Sequence, residues 1–457
     1  MSIYYSVIKL FIISFYVLKT VLGVNKAVRI SDALDHAVWS SEHWKFFTVI
    51  SLNYFLDGIM FSIAPLVAYL VAPQYYMIIF PANLIAETLG AILLGMLADR
   101  YGRRFLFMIS LALEVASLLL LVPLYRNVIA LTILTSLMTF GIGGEYGAAY
   151  AAIAELCPVK HRGKALMIAT NFWNIGSAVI AGLALIYASL GSNISTQIKY
   201  LLISALGTAV AVGLTRIAFP ESPRWLVLKG REDDAITLVR KLTGVKGELS
   251  TELPPESGVG LSEALRKYRF RFFVLAVITV AQYVTYDVTA YYIPYAPGFT
   301  FSVKVAPLVV FIANLGASVG AFLLLPIIDR ARRASVLASF VGGTSTAIAL
   351  TIAHELGSYY GFFTLLFINL IFSEWAWASL SVLQSELFPT GVRASVVGIL
   401  TGLTGISGAL VVYAEGALTA LGAFIAVTTI WLAGALASIA WYVKGVESAG
   451  KSIEELI

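Results

Sequence analysis

Between residues 45 and 443 the chain runs through twelve apolar stretches, and its charges are confined almost entirely to the connections between them. A helix rises 1.5 Å per residue and needs about 20 apolar residues to cross the hydrocarbon layer. The stretches fall at about 45–70, 74–97, 105–122, 128–154, 164–188 and 197–219, and again at about 270–294, 303–328, 335–353, 360–384, 395–414 and 418–443. They are too long for the roughly ten-residue alternating strands of a membrane barrel. Composition agrees: 59% of the 457 residues are hydrophobic and 12% are charged, against about 25% charged in soluble domains. The expected fold is all-α integral membrane, with twelve transmembrane helices in two pseudo-symmetric six-helix bundles. The bundles span 45–219 and 270–443, joined by a polar central loop, 220–269, and followed by a tail, 444–457. In the N-terminal segment 1–44, the apolar part 3–24 lacks the basic start and small-residue cleavage site of a signal peptide. It is expected to be an interfacial helix or the product of an upstream start rather than a thirteenth span.

Charge position sets an expected orientation. The connections 98–104, 157–164, 220–271 and 329–333, Arg393 and the tail hold nearly all Lys and Arg beyond the N-terminal segment, while the alternate connections hold only Arg126, Lys199 and Lys304. Inner loops are enriched in these residues, so both ends of the twelve-helix core are expected in the cytoplasm. The net charge of +5 is then a topology signal, and no nucleic-acid partner is expected. The single Cys157 excludes an intrachain disulfide, and the four histidines form no ligand cluster, so neither metal nor cofactor is expected.

The halves read as parallel repeats. Glu155-Leu-Cys-Pro158 followed by Arg162 recurs as Glu386-Leu-Phe-Pro389 followed by Arg393. Asp99, Arg100 and Arg103 recur as Asp329, Arg330 and Arg333, with Arg332 opposite Gly102. Loss of that glycine predicts two unequal charge clusters, with the N-terminal one dominant.

Gly95-Met-Leu-Ala-Asp99-Arg100-Tyr-Gly102-Arg103-Arg104 resembles the loop between helices 2 and 3 of the major facilitator superfamily. Pro220-Glu221-Ser222-Pro223-Arg224 resembles the segment that closes helix 6 in sugar porters, and Gly450–Leu456 resembles their tail. The resemblance implies a secondary transporter working by alternating access. It also implies a cytoplasmic gate of Asp99, Arg100, Arg103, Glu155, Arg162, Glu221, Arg224, Asp329, Arg330, Arg333, Glu386 and Arg393. On the seventh span, Gln282 and Tyr291-Tyr292 match the porter pattern, while Ala281, Thr285 and Asp287 stand where it has Gln, Gly and Asn. Gly141–Gly147, which includes Glu145 and Tyr146, resembles the metabolite:proton and phosphate:proton symporters. Ile406 stands where the phosphate branch has Lys, which disfavours phosphate.

The residues point to the same place without the resemblance. Asp57, Glu87, Glu114, Glu145, Asp287 and Glu374 fall inside apolar runs, where an acid costs about 2.5–3.5 kcal/mol at a helix centre and is a functional candidate by default. Asp57 and Asp287 are expected to face each other across a cavity, and Tyr283, Asp287 and Tyr291 to share a helix face. Glu114 is expected to be structural. Tyr283, Tyr286, Trp375 and Trp377 suit either a cavity wall or core packing. No Lys or Arg occupies the middle of a run, which favours proton coupling and a neutral, sugar-like solute, with an organic cation, carboxylate or phosphate as the alternative. The expected solute and proton site is Asp57, Glu145, Tyr146, Gln282, Tyr283, Asp287, Tyr291 and Glu374. The protein is expected as a monomeric multi-pass symporter of the cell membrane, with lipid, solute and proton as its partners. A non-transporting sensor on the same fold is the other class. A membrane-embedded enzyme is disfavoured, because no nucleophile–base set is present.

Overall fold

The computed structural model describes residues 27–190, 193–217, 219–253, 258–302, 305–415 and 418–457. The apolar stretch 3–24 therefore lies outside the described residues. Among them, twelve helices are long and apolar enough to cross a membrane, and the protein is a multi-pass all-α membrane protein. The first six are Ser41–Val71, Pro73–Tyr101, Arg103–Leu124, Val128–Leu156, Val159–Ser189 and Ile194–Arg216; the last six are Arg269–Tyr295, Ala306–Leu324, Arg332–Glu355, Tyr359–Glu386, Arg393–Val411 and Ala420–Lys444. They are numbered here as spans 1 to 12.

Packing follows the repeat. Span 2 packs on 4 as span 8 packs on 10, span 1 on 5 as 7 on 11, and span 3 on 4 and 6 as 9 on 10 and 12. The halves meet chiefly through two equivalent pairs, 2 against 11 and 8 against 5. Small residues make these approaches possible. A side chain on Gly398 would run into the Ala91 carbonyl of span 2, and one on Gly143 into the Glu87 carbonyl. Outward-facing residues such as Ile78, Ile85, Leu89, Leu93 and Met96 of span 2 remain exposed and recur every three to four positions, as a lipid-facing stripe requires.

The central loop folds against the N-terminal segment. It forms helices Pro223–Leu228, Glu232–Thr243 and Leu261–Lys267, and Leu249–Ser250 pairs in parallel with Val28–Arg29. A short helix, Ile30–Asp35, precedes span 1. Helix termini bring all of this to the basic end of the bundle, where the tail helix Ile453–Leu456 also docks.

Candidate functional site

Span 7 does not stay α-helical. Its α-helix ends at Asp287, a π turn follows at Val288–Tyr292 and a 3-10 turn at Ile293–Tyr295. Wider turns of this kind concentrate at functional positions. The insertion breaks the expected common face. Tyr283 and Asp287 line the central cavity, while Tyr291 is turned one layer away, where its hydroxyl lies 3.3 Å from Ser62 and 3.4 Å from Tyr286.

The cavity lies between the halves. Tyr54 and Phe61 of span 1, Tyr146 of span 4, and Thr170, Trp173 and Asn174 of span 5 face Gln282, Tyr283, Tyr286 and Asp287 of span 7 and Glu374 and Trp377 of span 10. Two hydrogen bonds cross it. The Asn174 amide donates to Glu374 at 2.8 Å, and the Tyr283 hydroxyl to Glu87 at 2.8 Å. Gln282 donates to Ser373, leaving its carbonyl oxygen free. Of the residues expected at the solute and proton site, Tyr146, Gln282, Tyr283, Asp287 and Glu374 line this cavity. The sequence reading did not single out Tyr54, Thr170, Trp173 or Asn174. Asn171 and Asn174, two amides one helical turn apart in an apolar span, were the signal available for the last of these.

Asp57 and Glu145 are elsewhere, and the expected pairing of Asp57 with Asp287 across the cavity is corrected. Asp57 points into the N-terminal half, where its carboxylate and those of Glu114 and Glu145 come within 4.8 Å of one another. Asn53 bridges Asp57 and Glu145, and Ser110 also donates to Glu145. The expectation that no intramembrane acid has a basic partner also fails. Arg216, the last residue of span 6, reaches Glu145 at 2.6 Å and Glu114 at 3.5 Å. A six-atom side chain at a helix end extends into the bundle while its backbone stays near the surface. Oxygen ligands for a cation are present in this cluster, but the guanidinium already supplies positive charge there.

At the basic end the charges form a pseudo-symmetric lattice. Glu155 takes Arg103 of its own half at 3.1 Å and Arg393 of the other at 2.7 Å. Glu386 takes Arg332 of its own half and Arg162 of the other, the latter at 3.7 Å. Asp99 accepts from the backbone and hydroxyl of Ser395, and Arg103 donates to the Thr390 carbonyl, both across the halves. Glu221 receives the backbone N–H groups of Arg103 and Arg104 at the start of span 3, and Glu447 receives those of Arg332 and Arg333 at the start of span 9. Each carboxylate sits at a helix N-terminus, where it is favoured. Gly102 holds φ +104°, and a side chain there would meet the Glu221 carboxylate.

This corrects the assigned repeat by one residue. Arg332, buried, is the counterpart of Arg103, and Ala331 rather than Arg332 stands opposite Gly102 as the residue before the helix. Arg333 is instead partly exposed and reaches Glu447 at 3.8 Å. Arg100 lies exposed over the Tyr101 ring, and Arg330 is exposed, so neither joins the lattice.

Arg162 donates to Asp35 at 2.7 Å, and Arg224 to Asp35 at 3.0 Å and Glu454 at 3.1 Å. Thus the N-terminal segment and the tail both lock onto Arg224. Burial would lower Arg224, but Glu454 and Asp35 raise it above the usual guanidinium value. Burial pushes Asp329 up although Arg332 and Lys164 pull it down. Among the described residues the opposite end carries no such lattice; Tyr69, Tyr76 and Tyr295 pack across the halves, Tyr69 and Tyr295 with centroids 4.4 Å apart. Ion pairs thus join the halves at one end and aromatic rings at the other.

Comparisons agree with this architecture. The chain is 28% identical over 335 residues to the inner membrane metabolite transport protein YgcS of Escherichia coli, covering 70% of this chain and 71% of that one. It is 27% identical over 345 residues to the major myo-inositol transporter IolT of Bacillus subtilis, covering 69% and 71%. The fold matches the proton:xylose symporter XylE bound to 6-bromo-6-deoxy-D-glucose with TM-score 0.74 at 20% identity, covering 90% of this chain and 98% of that one. With residues 31–456 matching the model of the sugar (and other) transporter family, the chain belongs to that family of the major facilitator superfamily.

Proposed function

We propose that the protein is a secondary active transporter that passes a small organic solute through the central cavity by alternating access, coupled to protons. The observation that supports this reading most is a cavity between two pseudo-symmetric halves, joined by buried ion pairs toward one face and by packed tyrosines toward the other. Separable contacts are what a rocking pair of bundles needs, because each can open while the other holds. The basic end faces the cytoplasm in this reading. Asp287, Glu374 and Glu87, buried around the cavity, are the groups in position to exchange protons as the halves move.

Uptake by proteoliposomes of the full chain under an imposed proton gradient tests the reading. The panel is labelled polyols, sugars, amines and carboxylates. Gradient-dependent movement of one class, abolished by a protonophore, is expected. No flux for any member, with the protein verified as folded, overturns it.

A further inference from the structure

We infer that the solute is an organic cation, a protonated amine, and that it exchanges with protons at Asp287 and Glu374. This rests on the transporter reading and narrows it. Both Asp287 oxygens and one Glu374 oxygen are buried without a hydrogen-bond partner, and both residues face the cavity. Among the described residues no Lys, Arg or His lines that cavity, so the negative charge has no counter-charge within it from them. A carboxylate so placed must hold a proton or meet a cation, since an unpaired charge in an apolar interior is too costly to persist.

The walls suit the second case. Trp173, Tyr146, Trp377 and Tyr283 form a continuous arc of rings, with successive centroids 5.9, 5.9 and 6.4 Å apart. A cation within about 6 Å of a ring centroid is held by the ring face, best by Trp, and this arc offers several faces to one ligand. A neutral polyol would also stack on these rings, but it would leave the acids to keep their protons. An ammonium group replaces those protons: the carboxylic O–H gives up its proton to solvent as the carboxylate pairs with the N–H groups. Proton and solute then occupy the same oxygens alternately. The coupling that follows is exchange, where the sequence reading expected symport.

Phenethylamine, its uncharged isostere 2-phenylethanol and myo-inositol separate the possibilities in the purified full chain. Phenethylamine is expected to quench tryptophan fluorescence saturably, release protons into weakly buffered solution, and bind at least tenfold more tightly at pH 7.5 than at pH 5. Asp287→Asn and Glu374→Gln are each expected to weaken it at least tenfold with unchanged thermal midpoints. In proteoliposomes an inward-acid gradient should drive the amine in exchange. Equal or tighter binding of 2-phenylethanol or myo-inositol without proton release overturns the cation assignment, as does absence of phenethylamine binding. If myo-inositol moves and the amine does not, the transporter reading stands and this inference falls. If nothing in the wider panel moves, both fall.

Discussion

Arg393 of the C-terminal half donates to Glu155 of the N-terminal half at 2.7 Å, whereas the symmetry-related Arg162 stands 3.7 Å from Glu386. Arg162 is drawn toward Asp35, which it meets at 2.7 Å, and among the described residues Arg393 has no such competitor. The two halves are therefore fastened unequally at the basic end, with Glu155 as the main tie.

Cys157 reports on that tie. It follows Glu155 by two residues and is fully buried, and burial pushes its thiol above the ordinary range. Removing one member of a buried ion pair costs about 3–5 kcal/mol, and about 1.4 kcal/mol shifts a population tenfold. Glu155→Gln and Arg393→Ala are expected to raise maleimide labelling of Cys157 at least tenfold. Labelling as slow as in the wild type would show that the lattice does not hold this end shut.

The repeat offers a second test, at neighbouring arginines. Arg332 is buried against Glu386, and Arg333 is a third exposed with a 3.8 Å contact to Glu447. Exposed pairs contribute about 0–1 kcal/mol. Arg332→Ala is expected to lower the thermal midpoint and speed Cys157 labelling, while Arg333→Ala changes both little. The reverse order would restore the register in which Arg333 is the counterpart of Arg103.

The misassigned register shows where sequence reasoning stopped. Span 2 stays helical through Tyr101, so Arg103, the first residue of span 3, meets Asp99 across Gly102 at a spacing of four. Span 8 ends at Leu324, and the turn that follows brings Asp329 to Arg332 at a spacing of three. That early stop has no mark in an apolar pattern. The spans themselves were legible because lipid forces backbone groups into long apolar helices. Most acids and bases of the basic-end lattice, such as Asp99, Arg103, Glu155 and Arg393, were legible because short connections confine them. Helix rotation was not: Asp57 faces Glu114 inside its own half, and only packing decides that. Nor was the reach of Arg216, since the chain distance from Glu145 says nothing of the contact. The π turn after Asp287 likewise displaced Tyr291 from a face that ideal periodicity assigns to it.

Arg216 is the only cation paired with the Glu114–Glu145 cluster among the described residues, and it is fully buried. Arg216→Met leaves both acids uncompensated and is expected to cost about 3–5 kcal/mol of stability. Adding Glu145→Gln removes the charge that Arg216 neutralises most closely. The double variant should therefore be less destabilised than the sum of the single ones, a coupling a thermal-unfolding cycle measures. Additive losses would mean that the two side chains are not energetically linked.

The tail makes a prediction about pH. Burial alone would raise Glu454, but the Arg224 guanidinium at 3.1 Å wins and holds it below its ordinary value of 4.5. A depressed carboxylate contributes stability that is present above the unfolded value and is lost as pH falls through the folded one. Docking of Ile453–Leu456 should thus be unaffected near neutrality and weaken only below about pH 4.5. The interaction is a charged hydrogen bond, worth about 1.5–3 kcal/mol. Because Arg271 also donates to the Leu456 carbonyl at 2.6 Å, loosening should be partial. Glu454→Gln is expected to show at pH 7 the reduced hydrogen-exchange protection factors of residues 446–457 that the wild type shows only in acid, and to lose the pH dependence of that protection. Equal protection of the tail in both proteins at pH 7 would assign its docking to the buried Ile453 and Leu456 side chains alone.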